Sequence, residues 1–212
     1  MDSSTNEKDV EVAPRLSLSE GKLLLLKQCR SNDEVMGLAP MLIEGDYNDD
    51  RLLAALGVAF RSLPLDDQRC QSVRDMYLRD TEDSVAFSAY GQILFSSGHI
   101  AEAESQVMSA LRINPLCGTS LLRMGQIFFA KREYKDSVTY LDEAVQAEPN
   151  NAYFHYINGL VLQQVERWKD ATVSLQRARD LAPKNSVYSR GLINLVTTLR
   201  FESYSPQIET LI

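Results

Sequence analysis

Residues 118–185 read GTSLLRMGQIFFAKREYKDSVTYLDEAVQAEPNNAYFHYINGLVLQQVERWKDATVSLQRARDLAPKN, and this stretch decides the fold. It contains two glycines 34 residues apart and two prolines with the same separation, and both spacings continue towards the N-terminus. The chain has only ten glycines and seven prolines, so chance alignment has a probability on the order of one in a million. The glycine column is Gly57, Gly91, Gly125 and Gly159, and the proline column is Pro115, Pro149 and Pro183.

Each 34-residue unit reads as two amphipathic helices of about 14 residues joined by a tight turn. Glycine at the eighth position of a unit lets its first helix approach the second, and proline at the thirty-second position ends the unit. The sequence therefore predicts an all-α protein, an α-solenoid of helical hairpins in a right-handed superhelix. The predicted units are 50–83, 84–117, 118–151 and 152–185.

The units resemble the tetratricopeptide repeat, whose pattern is W-x2-L-G-x2-Y…A-x3-F…P. The unit 50–83 is degenerate, because Arg69 stands where a small residue is expected and Thr81 replaces the proline. We expect its second helix to be shifted, with Cys70, Val73 and Tyr77 forming the buried stripe. The full matches are Phe87-x2-Tyr90-Gly91-x2-Leu94…Ala103-x3-Val107…Pro115, Leu121-x2-Met124-Gly125-x2-Phe128…Ser137-x3-Leu141…Pro149 and His155-x2-Asn158-Gly159-x2-Leu162…Ala171-x3-Leu175…Pro183.

The two ends of the chain lie outside this repeat. Residues 1–15 are polar and without periodicity, which indicates a disordered tail. Residues 16–49 are predicted to form a helical pair, either a cap on the stack or a degenerate repeat; alternatively, this segment is a mobile arm that folds back into the groove. Residues 186–212 are predicted to form a C-terminal capping helix followed by a tail.

Composition limits the classes of function. The formal charge is −7, with 22 basic and 29 acidic residues, which argues against a nucleic-acid binder. The apolar runs, such as Leu23 to Leu26, are too short to span a membrane, and the N-terminus lacks the features of a secretory signal. Three separated cysteines without a C-x-x-C pair indicate reduced thiols. We therefore expect a cytoplasmic protein.

Residues that could carry out catalysis are few. His99 is expected in a solvated turn, and His155 occupies a column used for large packing residues, so a core histidine is the better interpretation. No phosphate-binding loop, zinc motif or nucleophile elbow occurs in the sequence. We expect no enzyme activity, no catalytic residues, no metal and no cofactor.

The resemblance implies that the first helices line the concave side of the stack. By analogy with the family, the second, fifth, ninth and twelfth positions of each unit face this groove. Family members that clamp a terminal carboxylate carry Lys and Asn at the fifth and ninth positions, but here these positions hold Ala54 and Val58, then Ser88 and Gln92. A chaperone-tail adaptor is therefore not expected. The predicted peptide-binding residues are Gln92, Phe95, Leu122, Arg123, Gln126, Phe129, Tyr153, Tyr156, Leu160 and Gln163.

The resulting prediction is a non-catalytic protein–protein interaction module, an adaptor, scaffold or small chaperone. Aromatic groove residues bury a large area at low entropic cost, so the expected partner is a protein or peptide with apolar anchors. Neither nucleic acid nor membrane insertion is expected, and self-association into a homo-oligomer stays open. Two alternatives remain at this point: the N-terminal targeting arm of a larger transferase, and a chaperone of type III secretion translocators.

Overall fold

The computed structural model describes residues 18–44, 49–80 and 82–209, with the backbone alone for 18–19 and 200–209. The described residues form helices and no strand, so the predicted all-α solenoid is confirmed. The proposed tail 1–15 lies outside the described residues. The helices are α1 Leu18–Gln28, α2 Asn32–Ile43, α3 Asp50–Phe60, α4 Gln68–Tyr77, α5 Ser84–Ser97, α6 Ile100–Ile113, α7 Gly118–Ala130, α8 Tyr134–Ala147, α9 Ala152–Gln164, α10 Trp168–Leu181 and α11 Ser186–Glu209.

Local side-chain chemistry fixes the start of three of the first helices. Asp49, Asp83 and Asn151 stand at the same place in the 34-residue frame, just before α3, α5 and α9. Each side chain accepts hydrogen bonds from two backbone N–H groups of the first helical turn. These groups have no partner within the helix, so the caps stabilise the helix ends by about 1 kcal/mol each.

A left-handed residue ends the first helix of three hairpins. Gly98 has φ 94°, Arg132 has φ 64° and Glu166 has φ 60°, and these residues are also 34 positions apart. In each case the next residue donates its backbone N–H to a carbonyl of the last helical turn, for example Glu133 to Phe128 at 2.9 Å. The same turn therefore reverses the chain in each hairpin.

Three glycines of the column lie where the first helix meets the second. A Cβ added at Gly91 would lie 2.5 Å from Val107 Cγ2, and one at Gly159 would lie 2.7 Å from Leu175 Cγ. Small residues complete the crossing from the second helix, where Ala103, Ser137 and Ala171 are completely buried. Glycine is thus required sterically at these positions, because real Cβ atoms do not approach neighbours so closely.

The degenerate unit 50–83 differs from this arrangement. Gly57 faces α5, not α4: its added Cβ would lie 2.9 Å from the carbonyl oxygen of Ile93. The expectation that Gly57 brings the two helices of its own unit together is therefore wrong. Helix α4 packs against α2 and α5, and its buried stripe is Cys70, Val73 and Tyr77, as expected for a shifted helix.

Helices cover both ends of the stack. α2 packs against α3 and α4, and the Lys22 ammonium of α1 donates to the backbone carbonyl of Glu44. At the other end α11 packs against α10 and α9, with Leu192 and Leu195 buried. Within the described ranges, no helix is both long and apolar enough to cross a bilayer.

Candidate peptide-binding groove

The first helices of three successive units adjoin one another, because α5 packs against α7, and residues of α5, α7 and α9 line one cavity. We call the surface formed by α5, α7 and α9 the groove. Near the C-terminal ends of these helices the groove deepens into a cavity of about 520 Å³, which we call the anchor pocket. Its lining residues are Phe95, Gln126, Phe129, Ala130, Ile157, Leu160, Val161, Gln163 and Gln164.

Five of the ten residues predicted for the groove line this one pocket. Phe95 and Phe129 occupy the twelfth position of consecutive units, so their half-buried rings come from adjacent helices. Gln126, Leu160 and Gln163 contribute from the ninth and twelfth positions. The structure thus brings together residues from three helices that are up to 68 positions apart in the sequence.

Two predicted groove residues lie in the interior. Leu122 is 4% exposed and Arg123 is 3% exposed, so neither side chain can reach a partner in the groove. Arg123 Nη1 donates to Ser88 Oγ at 2.7 Å, and Nη2 donates to Asp50 Oδ1 at 3.0 Å. Burial lowers the pKa of the Arg123 guanidinium. This arginine links α3, α5 and α7, and the prediction that it reaches the groove is corrected.

The remaining three predicted residues have partners within the chain. Tyr156 packs on Tyr188 of α11 with ring centroids 5.0 Å apart, so the terminal helix covers one side of its ring. Tyr153 is 38% exposed, and its hydroxyl group lies beside the Gln126 amide. Burial of the ring raises the pKa of Tyr153. Gln92 Nε2 donates to Ser96 Oγ at 3.2 Å.

Four lining residues are absent from the sequence prediction: Ala130, Ile157, Val161 and Gln164. They stand at the sixth, tenth and thirteenth positions of their units, beside the positions taken from the family pattern. On a helix, side chains three or four residues apart are neighbours on the surface. The sixth and thirteenth positions therefore lie next to the ninth, and the tenth lies next to the sixth and the thirteenth. That spacing is the signal that could have identified them.

Among the residues that the structure describes, no ionisable side chain lines the anchor pocket. Lys131, the next residue after Ala130, is held by Glu104 at 3.1 Å and Glu133 at 3.0 Å. Its ammonium also lies 4.8 Å from the centre of the Phe128 ring. The pocket is therefore an apolar and amide surface, suited to apolar side chains and to neutral hydrogen-bonding groups.

Both histidines have structural partners. His155 Nε2 lies 2.9 Å from the Pro149 carbonyl oxygen and its side chain is buried, which confirms a packing role. His99 is half-buried and its Nδ1 lies 2.8 Å from Ser97 Oγ, so the expectation of a solvated side chain is wrong. In the part of the chain that the structure describes, no cluster of three His, Cys, Asp or Glu residues could hold a metal.

Helical hairpins repeated at a fixed period, with a groove on the first helices, define the class of α-helical repeat proteins. A sequence profile described as the tetratricopeptide repeat matches residues 89–152 and 122–186. Residues 89–186 therefore consist of tetratricopeptide repeats. Comparison with curated protein sequences finds no match.

Solved structures share the fold at low sequence identity. TTC0263, a thermophilic protein of Thermus thermophilus, is 15% identical with a TM-score of 0.61, over 85% of this chain and 97% of that one. MamA 41-end from Desulfovibrio magneticus RS-1 is 18% identical with a TM-score of 0.53, over 85% and 91%. The first repeat domain of Spaghetti (RPAP3), bound to the HSP90 peptide SRMEEVD, is 15% identical with a TM-score of 0.53, over 57% and 96%. Tetratricopeptide repeats are generally non-catalytic modules for protein–protein interaction.

Proposed function

We propose that this chain is a non-catalytic adaptor or scaffold of the cytoplasm that binds a polypeptide segment in the groove through apolar anchor side chains. The observation that carries the proposal is the anchor pocket, where Phe95, Phe129 and Leu160 meet around about 520 Å³ of free volume. This volume lies within the range of about 300–1,000 Å³ that is usual for binding pockets. Buried aromatic and aliphatic contacts of this kind carry most of the free energy in protein interfaces.

Charge supports an apolar partner over an acidic tail. The fifth and ninth positions of the units 84–117 and 118–151 hold Ser88, Gln92, Leu122 and Gln126, so no lysine is present to clamp a carboxylate. An ionised carboxylate placed in the neutral pocket would lose its hydration without gaining a counter-ion. The peptide SRMEEVD that occupies the Spaghetti domain is thus a poor candidate for this groove. No finding favours the transferase arm or the secretion chaperone.

A display selection tests the proposal. Random 12-residue peptides with blocked ends are selected on the full chain, and the best binder is synthesised and titrated by fluorescence anisotropy. We expect the double variant Phe129→Ala and Leu160→Ala to weaken binding at least about 10-fold, because each truncated anchor costs about 1–2 kcal/mol. The matched control is Val173→Ala, which removes a 66% exposed side chain of α10.

Far-ultraviolet circular dichroism establishes that both variants remain folded. Binding that is retained by the control and lost in the double variant supports the proposal. A selection without any binder, or binders whose Kd is equal for wild type and double variant, would remove the groove as the binding site.

A further inference from the structure

The anchor pocket carries amide side chains as well as apolar ones. Gln163 and Gln164 line it, and within the described residues neither side chain has a hydrogen-bond partner. The Gln126 amide lies beside the Tyr153 hydroxyl group. An amide group offers two donor hydrogens and an acceptor oxygen, so this wall presents unused donors and acceptors beside an apolar cavity.

The backbone of a partner can use these groups only if it is extended. In a helix, the interior N–H and C=O groups already bond to each other, and only the ends are free. An extended segment leaves one donor and one acceptor free at each residue, and its alternate side chains point to the same side. Free glutamine amides next to an apolar cavity therefore match an extended segment.

We infer that the occupant of the anchor pocket is an extended, uncharged segment with two bulky apolar residues at positions i and i+2. Both side chains enter the cavity between Phe129 and Leu160, about 7 Å apart as in a strand. The backbone between them bonds to the amides of Gln163 and Gln164. This inference rests on the proposed function and specifies the conformation and chemistry of its partner.

Neutrality of the segment follows from the surroundings of the pocket. In the described part of the chain no ionisable residue lines the cavity, and the adjacent Lys131 is already paired with Glu104 and Glu133. A charged side chain would be desolvated without a counter-ion, whereas Leu, Met, Phe or Val gains from burial. Binding should consequently change by less than about twofold between 50 and 500 mM salt, because exchange of counter-ions is not involved.

Two synthetic peptides with both ends blocked separate extended from helical binding. The first carries Leu at i and i+2 among Thr residues, which favour extended backbone. The second carries Leu at i and i+3 among Ala and Gln residues and is closed by a side-chain staple that enforces a helix. Titration on the full chain should show at least about 10-fold tighter binding of the first peptide. Equal or tighter binding of the helical peptide overturns the inference, and so does a failure of both peptides to bind.

N-methylation of the residue between the two leucines tests the amide contacts. The methyl group removes one backbone donor, so it should weaken binding to wild type at least about fivefold. In the double variant Gln163→Ala and Gln164→Ala, the same modification should change the affinity less than twofold. The control is Gln176→Ala, on the exposed side of α10, in which the fivefold loss of affinity should persist. An equal penalty in all three proteins overturns the inference. If displayed peptides bind through Phe129 and Leu160 while these two tests fail, the proposed function stands without the extended segment.

Discussion

Substitution of Gly125 by valine tests the close approach of the two helices in the hairpin of α7 and α8. An added Cβ would lie 2.6 Å from Leu141 Cγ, 2.8 Å from Leu141 Cδ2 and 3.2 Å from the Ser137 carbonyl oxygen. Leu141 is completely buried, so its side chain has no free space into which it can rotate. The carbonyl oxygen belongs to the α8 backbone, so it can move away from the added Cβ only if α8 itself moves. The two helices must therefore separate locally.

The expected loss of stability combines two opposing effects. Overpacking of a filled core costs about 1–3 kcal/mol, and the two γ-methyl groups of valine place this site at the upper end. Valine has a better helix propensity than glycine by about 0.3 kcal/mol, which offsets a small part. We expect a net loss of about 2–3 kcal/mol in the free energy of unfolding. For a chain of 212 residues this lowers the melting temperature by about 4–12 °C.

Gly37 provides the matched control, because it is also a helical glycine but is exposed, and no atom of the residues described lies within 4 Å of an added Cβ. Gly37→Val should leave the melting temperature within about 2 °C of wild type. The assay is thermal unfolding of the full chain, followed by circular dichroism at 222 nm. Equal melting temperatures for Gly125→Val and wild type would refute the steric role of the glycine column.

Three further predictions concern single residues. Glu166 has φ 60°, which favours glycine, so Glu166→Gly should stabilise the protein by about 0.5–1 kcal/mol in urea unfolding. Gly98 has φ 94°, so Gly98→Ala should destabilise the protein by about 1 kcal/mol in the same assay. The opposite order of stabilities would contradict the left-handed turn. Asp50→Ala should lower the free energy of unfolding by about 1–2 kcal/mol, because Arg123 stays buried with fewer partners. The apolar replacement Arg123→Met should lower it less, and a larger loss for Arg123→Met would contradict this reasoning. Burial raises the pKa of Tyr90 to about 12, above the value of about 10 in the unfolded chain, so its stabilising contribution is complete below pH 10 and is lost as pH rises to about 12. Tyr90→Phe should flatten the fall in melting temperature over that range, and an unchanged profile would exclude Tyr90 as its source.

The sequence predicts the hairpins well because local chemistry repeats with them. A glycine, a small residue and a proline at fixed positions specify where two helices cross and where each unit ends, without information from distant residues. Gly125 and its neighbour Leu141 lie within one unit, so their contact is visible in the repeat itself. The caps Asp83 and Asn151 are also local, because each accepts hydrogen bonds from N–H groups two and three residues further along the chain.

Contacts between units are less visible in the sequence. Arg123 is buried because Asp50, 73 positions away, and Ser88 converge on it, and no single unit contains that arrangement. Tyr156 is partly covered because Tyr188 of α11 stacks against it. A position in the repeat fixes the direction of a side chain, but its exposure depends on which neighbours pack over it.

In the degenerate unit 50–83, the contact made by Gly57 also depends on a neighbouring unit. Gly57 keeps its place in the column, yet α4 has moved against α2, so the glycine meets α5 instead. Arg69, a large and charged residue, stands where the helix crossing requires a small one. Its guanidinium is paired with Asp67 and Asp33. A regular spacing alone therefore does not identify the partner helix.

Photo-crosslinking tests most directly whether the groove holds a polypeptide. The photoreactive residue p-benzoylphenylalanine replaces Ala130, an exposed residue at the rim of the anchor pocket, or Val173 on α10 as the control. After irradiation with a peptide obtained by display selection, mass spectrometry should find the peptide attached at position 130 and not at position 173. Attachment at 173 alone, or equal attachment at both positions, would contradict binding in the groove.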